Sequence, residues 1–175
     1  NLTGESSKPE EIYLPAGSAF TTELDDITYT FRTTQEYTGY IDDDALGIYT
    51  FRDDDGNLSV PVYEGTEKVK TFIVNTALLR QIYVIPDASM DLSTLKVRVF
   101  EDTADTVGTA YLSPTSLASG FTAQTKLYLP FETFNGFYEV NFGDGTITGE
   151  APEPGNIIRA TYLSTNGAIA NGADA

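Results

Sequence analysis

The spacing that comes nearest to chemistry in this chain is an acidic loop. Asp53, Asp55 and Asn57 stand at the first, third and fifth places of an EF-hand-like run, with Val60 at the eighth and Glu64 at the twelfth. A hard cation such as calcium needs several oxygens converging at that interval. The pattern breaks where geometry is strict: Leu58 takes the sixth place, where a glycine makes the sharp turn, and Pro61 stiffens the ninth. The flanks Ile48-Tyr49-Thr50-Phe51 and Val60-Pro61-Val62-Tyr63 read as strands, so Asp55-Gly56-Asn57 between them reads as a hairpin tip. No metal ligand is assigned.

Other candidates fare no better. Asp42-Asp43-Asp44 repels itself unless water or a cation neutralises it, and reads as a solvated loop tip. Paired carboxylates could hydrolyse glycosides, but nothing marks one acid as buried, and no Trp is present to stack a sugar ring. None of the five Lys residues, at 8, 68, 70, 96 and 126, is read as standing in a Ser-x-x-Lys pattern, so no nucleophilic Ser is assigned. Asn1-Leu2-Thr3 and Asn57-Leu58-Ser59 match the glycosylation triplet, a pattern that recurs by chance. Gly143-Asp144-Gly145 is too short to cradle a phosphate and reads as a tight turn that needs positive φ.

Composition excludes more than it suggests. The 175 residues contain no His, Cys or Trp. Nucleophile systems built on imidazole or thiolate are therefore absent, as are disulfides and thiolate metal sites. With 26 acidic and 10 basic side chains the formal net charge is −16, which repels phosphate backbones, so no nucleic-acid partner is expected. A hydrophobic content of 41% is too high for a disordered tail. The longest apolar stretches, such as Ile82-Tyr83-Val84-Ile85, have strand length, so no membrane partner is expected either. Residues 1–11 lack an apolar signal core; the only Met is Met90, and the chain ends on Asn171-Gly172-Ala173-Asp174-Ala175. It reads as a piece of a longer protein.

The elements that would position any site have a period of two. Ile27-Thr28-Tyr29-Thr30-Phe31 alternates apolar and polar, as a half-buried strand does when successive side chains point to opposite faces. Segments 71–74, 81–85, 95–100, 126–129, 137–142 and 157–163 read the same way and are rich in β-branched and aromatic residues. Turn signals separate them at Pro15-Ala16-Gly17, Glu64-Gly65, Asn135-Gly136 and Pro154-Gly155-Asn156. Ser113 to Gly120 predicts one short helical turn, with Ser113 as cap, Pro114 at the first position and Gly120 as stop. The expected fold is all-β: two small β-rich subdomains of short, mostly antiparallel strands with at most short helical turns. They span 1–76 and 77–175 and meet near 75–80, where the strand order restarts.

Several segments resemble one family in order. Leu14-Pro15-Ala16-Gly17-Ser18-Ala19-Phe20 is followed by the Tyr29-Thr30-Phe31 strand, by Val62-Tyr63-Glu64-Gly65, and by Asp91-Leu92-Ser93-Thr94-Leu95-Lys96-Val97. Then come Phe137 to Gly145, Pro154-Gly155-Asn156-Ile157-Ile158, Thr161 to Gly167 and Ala170-Asn171-Gly172-Ala173. This run, from about Glu11 to Ala173, resembles the T4-type baseplate wedge proteins of the wider baseplate J-like family of contractile-tailed phages. It departs from that pattern at Thr146-Ile147-Thr148-Gly149, where a Val/Ile-Leu-Gly-like run is common.

The resemblance implies a structural subunit rather than an enzyme, with no cofactor. It implies a fragment of the ring-forming subunit between wedges, located in the virion's tail baseplate and assembled in the host cytoplasm. Its partners would be other wedge subunits and copies of itself, through homodimer or ring contacts in the full-length protein. Gly143, Asp144, Gly145, Gly155, Asn156, Gly167 and Gly172 would shape turns that hold strands in register. The alternative from the residues alone is a calcium- or carbohydrate-binding adhesin module, with a hydrolase third.

Overall fold

A computed structural model describes residues 8–24, 26–43, 46–52, 56, 58–75, 81–117 and 120–166. The fold is all-β. Among the described residues, thirteen strands form four small sheets in which every strand pair is antiparallel. The only helical element among the described residues is a 3-10 turn at Pro114–Ser116. That turn has Ser113 before it and Pro114 at its first position, but it ends at Leu117, and the Ser113 side chain makes no capping bond.

The chain divides into two compact units at Gly65/Thr66, eleven residues before the join read from the sequence. Strand pairing is the reason. Residues 66–73 form a strand whose partner, residues 157–164, lies far along the chain, so they belong to the second unit. Residues 76–80, where the join was expected, lie outside the described residues.

The first unit holds six strands: β1 (Glu11–Leu14), β2 (Ala19–Leu24), β3 (Ile27–Arg32), β4 (Tyr37–Asp43), β5 (Ile48–Phe51) and β6 (Tyr63–Glu64). They make two three-stranded sheets, ordered β1-β4-β5 and β2-β3-β6. Alternation in β3 buries Tyr29, against which Leu24 and Phe31 pack. The Pro15–Ser18 turn is tied down by Thr33. The Thr33 hydroxyl donates to the Pro15 carbonyl at 2.8 Å and accepts from the Ser18 N–H at 3.1 Å.

The second unit is a β-sandwich. Its strands are β7 (Thr66–Ile73), β8 (Tyr83–Ile85), β9 (Met90–Phe100), β10 (Thr109–Tyr111), β11 (Tyr128–Glu132), β12 (Tyr138–Phe142) and β13 (Ile157–Ser164). The sheets run β10-β9-β13-β7 and β11-β12-β8. Val97, Ile158, Ala160 and Tyr162 from the first face Ile85, Tyr128 and Val140 from the second across one core. Phe72, Tyr83, Phe142 and Tyr111 form an edge-to-face chain of rings with centroids 5.4 to 5.7 Å apart. Tyr128, a buried phenol, reaches across this core and donates to the Leu95 carbonyl at 2.8 Å.

β9 is longer than its partner because it carries a bulge. Thr161 pairs with Lys96 and Leu163 with Asp91, so β9 spends five residue steps where β13 spends two. The Asp91-Leu92-Ser93-Thr94 segment organises this excursion. Asp91 accepts from the Ser93 N–H and hydroxyl at 2.9 and 2.7 Å, while the Thr94 hydroxyl accepts from the Leu163 N–H at 2.9 Å in place of a ladder carbonyl.

Candidate functional site

The residues singled out in the sequence fall mainly on two turns of the second unit. In the loop after β12, the Asp144 carboxylate accepts from three successive backbone donors through one oxygen: Thr146 at 2.9 Å, Ile147 at 2.8 Å and Thr148 at 3.0 Å. These N–H groups, Ile147 first, stabilise the ionised form and hold the carboxyl well below the usual aspartate range. The Gly145 N–H closes the loop on the Gly149 carbonyl at 2.8 Å. Glycine is needed here for two different reasons. Gly145 has φ +71°, as a tight turn requires, whereas Gly143 does not have positive φ. A Cβ on Gly143 would run into the Gly149 backbone, so its requirement is close approach of two chain segments.

The second turn joins strands far apart in sequence. The Gly155 N–H donates to the Val74 carbonyl at 2.9 Å, with Gly155 at φ +90°. The Asn156 side-chain oxygen accepts from the Glu153 N–H at 2.8 Å, and its amide nitrogen donates to the Glu101 carbonyl at 3.2 Å. Asn156 thus pins the start of β13 to the end of β9. Gly167 and Gly172 lie outside the described residues, as do Asp53, Asp55 and Asn57 of the acidic loop and Asp44 of the acidic run.

A third organising loop was missed in the sequence. Between β9 and β10, Asp105 accepts from the N–H groups of Gly108, Glu101 and Val107 at 2.9, 3.1 and 3.0 Å, and these donors hold its carboxyl below the usual range. Asp102 accepts from Ala104 and Asp105 in the same loop. The signal that would have found it is the Asp-x-x-Asp-x-x-Gly spacing, since Asp side chains fold back onto donors two and three residues ahead. These carboxylates are used to build loops, not held free for a cation or a proton transfer. Among the described residues, no group of three or more acidic side chains is arranged to hold a metal ion.

One Lys does stand at a nucleophile spacing, contrary to the sequence reading. Ser93 and Lys96 are three residues apart on β9, but the Ser93 hydroxyl donates to Asp91 at 2.7 Å. A general base would have to replace that acceptor, and the strand lacks the helical turn that brings such a pair onto one face.

Concavities among the described residues of the second unit include a groove and a cleft. A groove of about 780 Å³ is bordered by Leu92, Leu95, Tyr128, Pro130 and Phe131 on its apolar side and by the hydroxyl residues Ser93, Ser113, Thr115 and Ser116. A cleft of about 510 Å³ contains Tyr111, Lys126, Glu150 and Glu153. There Glu150 is met by Lys126 at 3.3 Å and by the Tyr111 hydroxyl at 3.4 Å. Burial, with the Glu150 charge second, pushes the Tyr111 phenol well above its ordinary value, so it stays protonated.

The architecture defines a small acidic all-β protein of two units, one of them a seven-stranded sandwich with carboxylate-organised loops. No protein-family model and no curated protein matches the chain. No helix among the described residues is long and apolar enough to cross a membrane.

Proposed function

We propose that this chain is a structural module of a contractile-tail bacteriophage baseplate wedge, mediating wedge assembly through protein–protein contacts. The order of the segments from Leu14-Pro15-Ala16-Gly17 to Ala170-Asn171-Gly172-Ala173 suggests the kind of assembly. The observation that carries an assembly role is the surface of the first unit. Among its described residues only Tyr29 and Tyr37 are buried hydrophobics, while nine large ones are exposed, including Tyr13, Tyr40, Leu46 and Leu58. Single exposed hydrophobics are ordinary, but such a ratio in one unit fits a surface that a neighbouring subunit covers. The carboxylate-organised loops of the second unit suit a rigid part that is moved as a body.

Immunogold labelling of purified contractile tails with antibody to this chain tests the reading. Gold clustered at the baseplate is the expected result; tails that carry none at any position would overturn it. The adhesin alternative makes a separate demand, a melting temperature that rises on adding calcium.

A further inference from the structure

We propose that the outer face of the β10-β9-β13-β7 sheet docks an acidic surface of another protein. The inference goes beyond the wedge reading and does not depend on it. Because Val97, Val99, Ile158 and Ala160 point into the sandwich core, their neighbours Lys96, Arg98 and Arg159 point outward, and all three are exposed. They are three of the chain's ten basic residues, gathered on adjacent strands of a chain whose net charge is −16. Arg98 and Arg159 stand directly opposite each other across β9 and β13. Like charges so placed destabilise a sheet.

The fold holds both guanidinium groups without neutralising them. Arg98 donates to the carbonyls of Val107 and Gly108, each at 2.9 Å. Arg159 lies 4.4 Å from the centre of the Phe100 ring. Neither makes an ion pair with a carboxylate among the described residues. Asp105, kept ionised by three loop N–H groups, attracts Arg98 electrostatically without forming an ion pair with it. Beside the basic centre, β7 exposes Val69 and Ile73 at 53% and 63%. A positive centre with an apolar margin is the complement of an acidic surface that carries apolar side chains.

Any acidic partner must bring its charge close to this face, because the chain as a whole carries −16. At physiological salt the screening length is about 8 Å, so an acidic partner feels this face more than the acids beyond it. Strand spacing and rise give the face roughly 400 Å². That is below the ~800 Å² per partner of a standard stable interface, so the contact is weak and reversible.

The test is nuclear magnetic resonance titration of the full chain with a peptide of alternating Glu and Leu, beside a Gln/Leu counterpart. The expected result is binding of the Glu/Leu peptide about tenfold tighter than of the Gln/Leu peptide, with shifts centred on β9 and β13. Raising salt should weaken it several-fold. Arg98→Glu with Arg159→Glu should abolish it, and Lys126→Glu, off this face, should leave it unchanged. Arg159→Gln keeps a side chain over Phe100 while removing the charge, and should weaken binding even if the double variant fails to fold. Equal binding of the two peptides, shifts centred elsewhere, or self-association without peptide would each overturn the proposal.

Discussion

The two units are built from the same kind of strand, yet they differ in what the strands enclose. In the second unit two sheets close on a continuous core that includes Ile85, Val97, Val140 and Ile158, all at 1% exposure or less. In the first, the buried cluster among the described residues is Tyr29 with Leu24 and Phe31. Charge widens the contrast: fourteen of the 26 acidic residues lie before residue 66, where Lys8, Arg32 and Arg52 are the only basic ones. Each fully buried Val, Leu, Ile or Phe side chain contributes about 1.5–3 kcal/mol, while ordering each residue costs about 1–2 kcal/mol. A unit with few such side chains and strong self-repulsion has little margin. Alternating sequence makes strands; a core requires that two faces meet.

The largest effect expected from that comparison is on isolated pieces. Residues 66–166 expressed alone should fold and melt cooperatively, whereas 1–65 alone should give neither dispersed resonances nor a thermal transition. A cooperative 1–65 piece would remove the contrast.

Next come core truncations. Ile158→Ala should destabilise the second unit by about 2–5 kcal/mol, through lost burial and the cavity left behind. Tyr29→Ala should instead raise amide exchange throughout the first unit while β9 and β13 stay protected. Mass-resolved hydrogen exchange on both variants reads the two outcomes side by side.

Smaller is the cost of crowding the Gly143 loop. Gly143→Ala must push the Gly149 backbone aside and should cost about 1–3 kcal/mol. Asp144→Asn should lower the melting temperature slightly and speed exchange at Thr146, Ile147 and Thr148, its three donors.

The subtlest effect concerns pH. Burial pushes the Asp87 carboxyl up, but Lys68, the Ser89 N–H and the Ser164 hydroxyl outweigh it, and the net position is below the ordinary value. Asp105 and Asp144 are lowered too. A carboxyl lowered by folding contributes stability above its unfolded value of about 3.9, and that contribution is lost as pH falls through the folded one. Tyr83, Tyr111, Tyr128 and Tyr162 are raised, chiefly by burial. Their contribution is full below about pH 10 and is lost as pH rises through their folded values. Melting temperatures of the 66–166 piece should therefore fall below about pH 4 and again above about pH 10, with the tyrosinate absorbance of these four appearing only as the second transition proceeds.

Strands with strong alternation were legible in advance. Ile27–Phe31 lies within β3, and the segments at 95–100, 137–142 and 157–163 lie within or almost wholly within β9, β12 and β13. β1, β2, β4 and β10 were not read. Their side chains are mostly exposed or half-buried on both faces, so the period-two contrast is faint. Gly145 and Gly155 are turn glycines with positive φ, as their neighbours Asp144 and Asn156 suggest. Gly143 needs glycine because of Gly149, and nothing local records that approach.

By itself the sequence determined the all-β class, several strands, and the lack of imidazole and thiol chemistry, because side-chain type and alternation act over a few neighbouring residues. Tertiary structure alone decided where the units divide and that Arg159 joins Lys96 and Arg98 on one face. Those outcomes depend on pairing between residues far apart in the chain, such as Arg159 with Arg98 and Ser164 with Thr66, where backbone hydrogen bonds are alike and register is chosen by the faces that bury together.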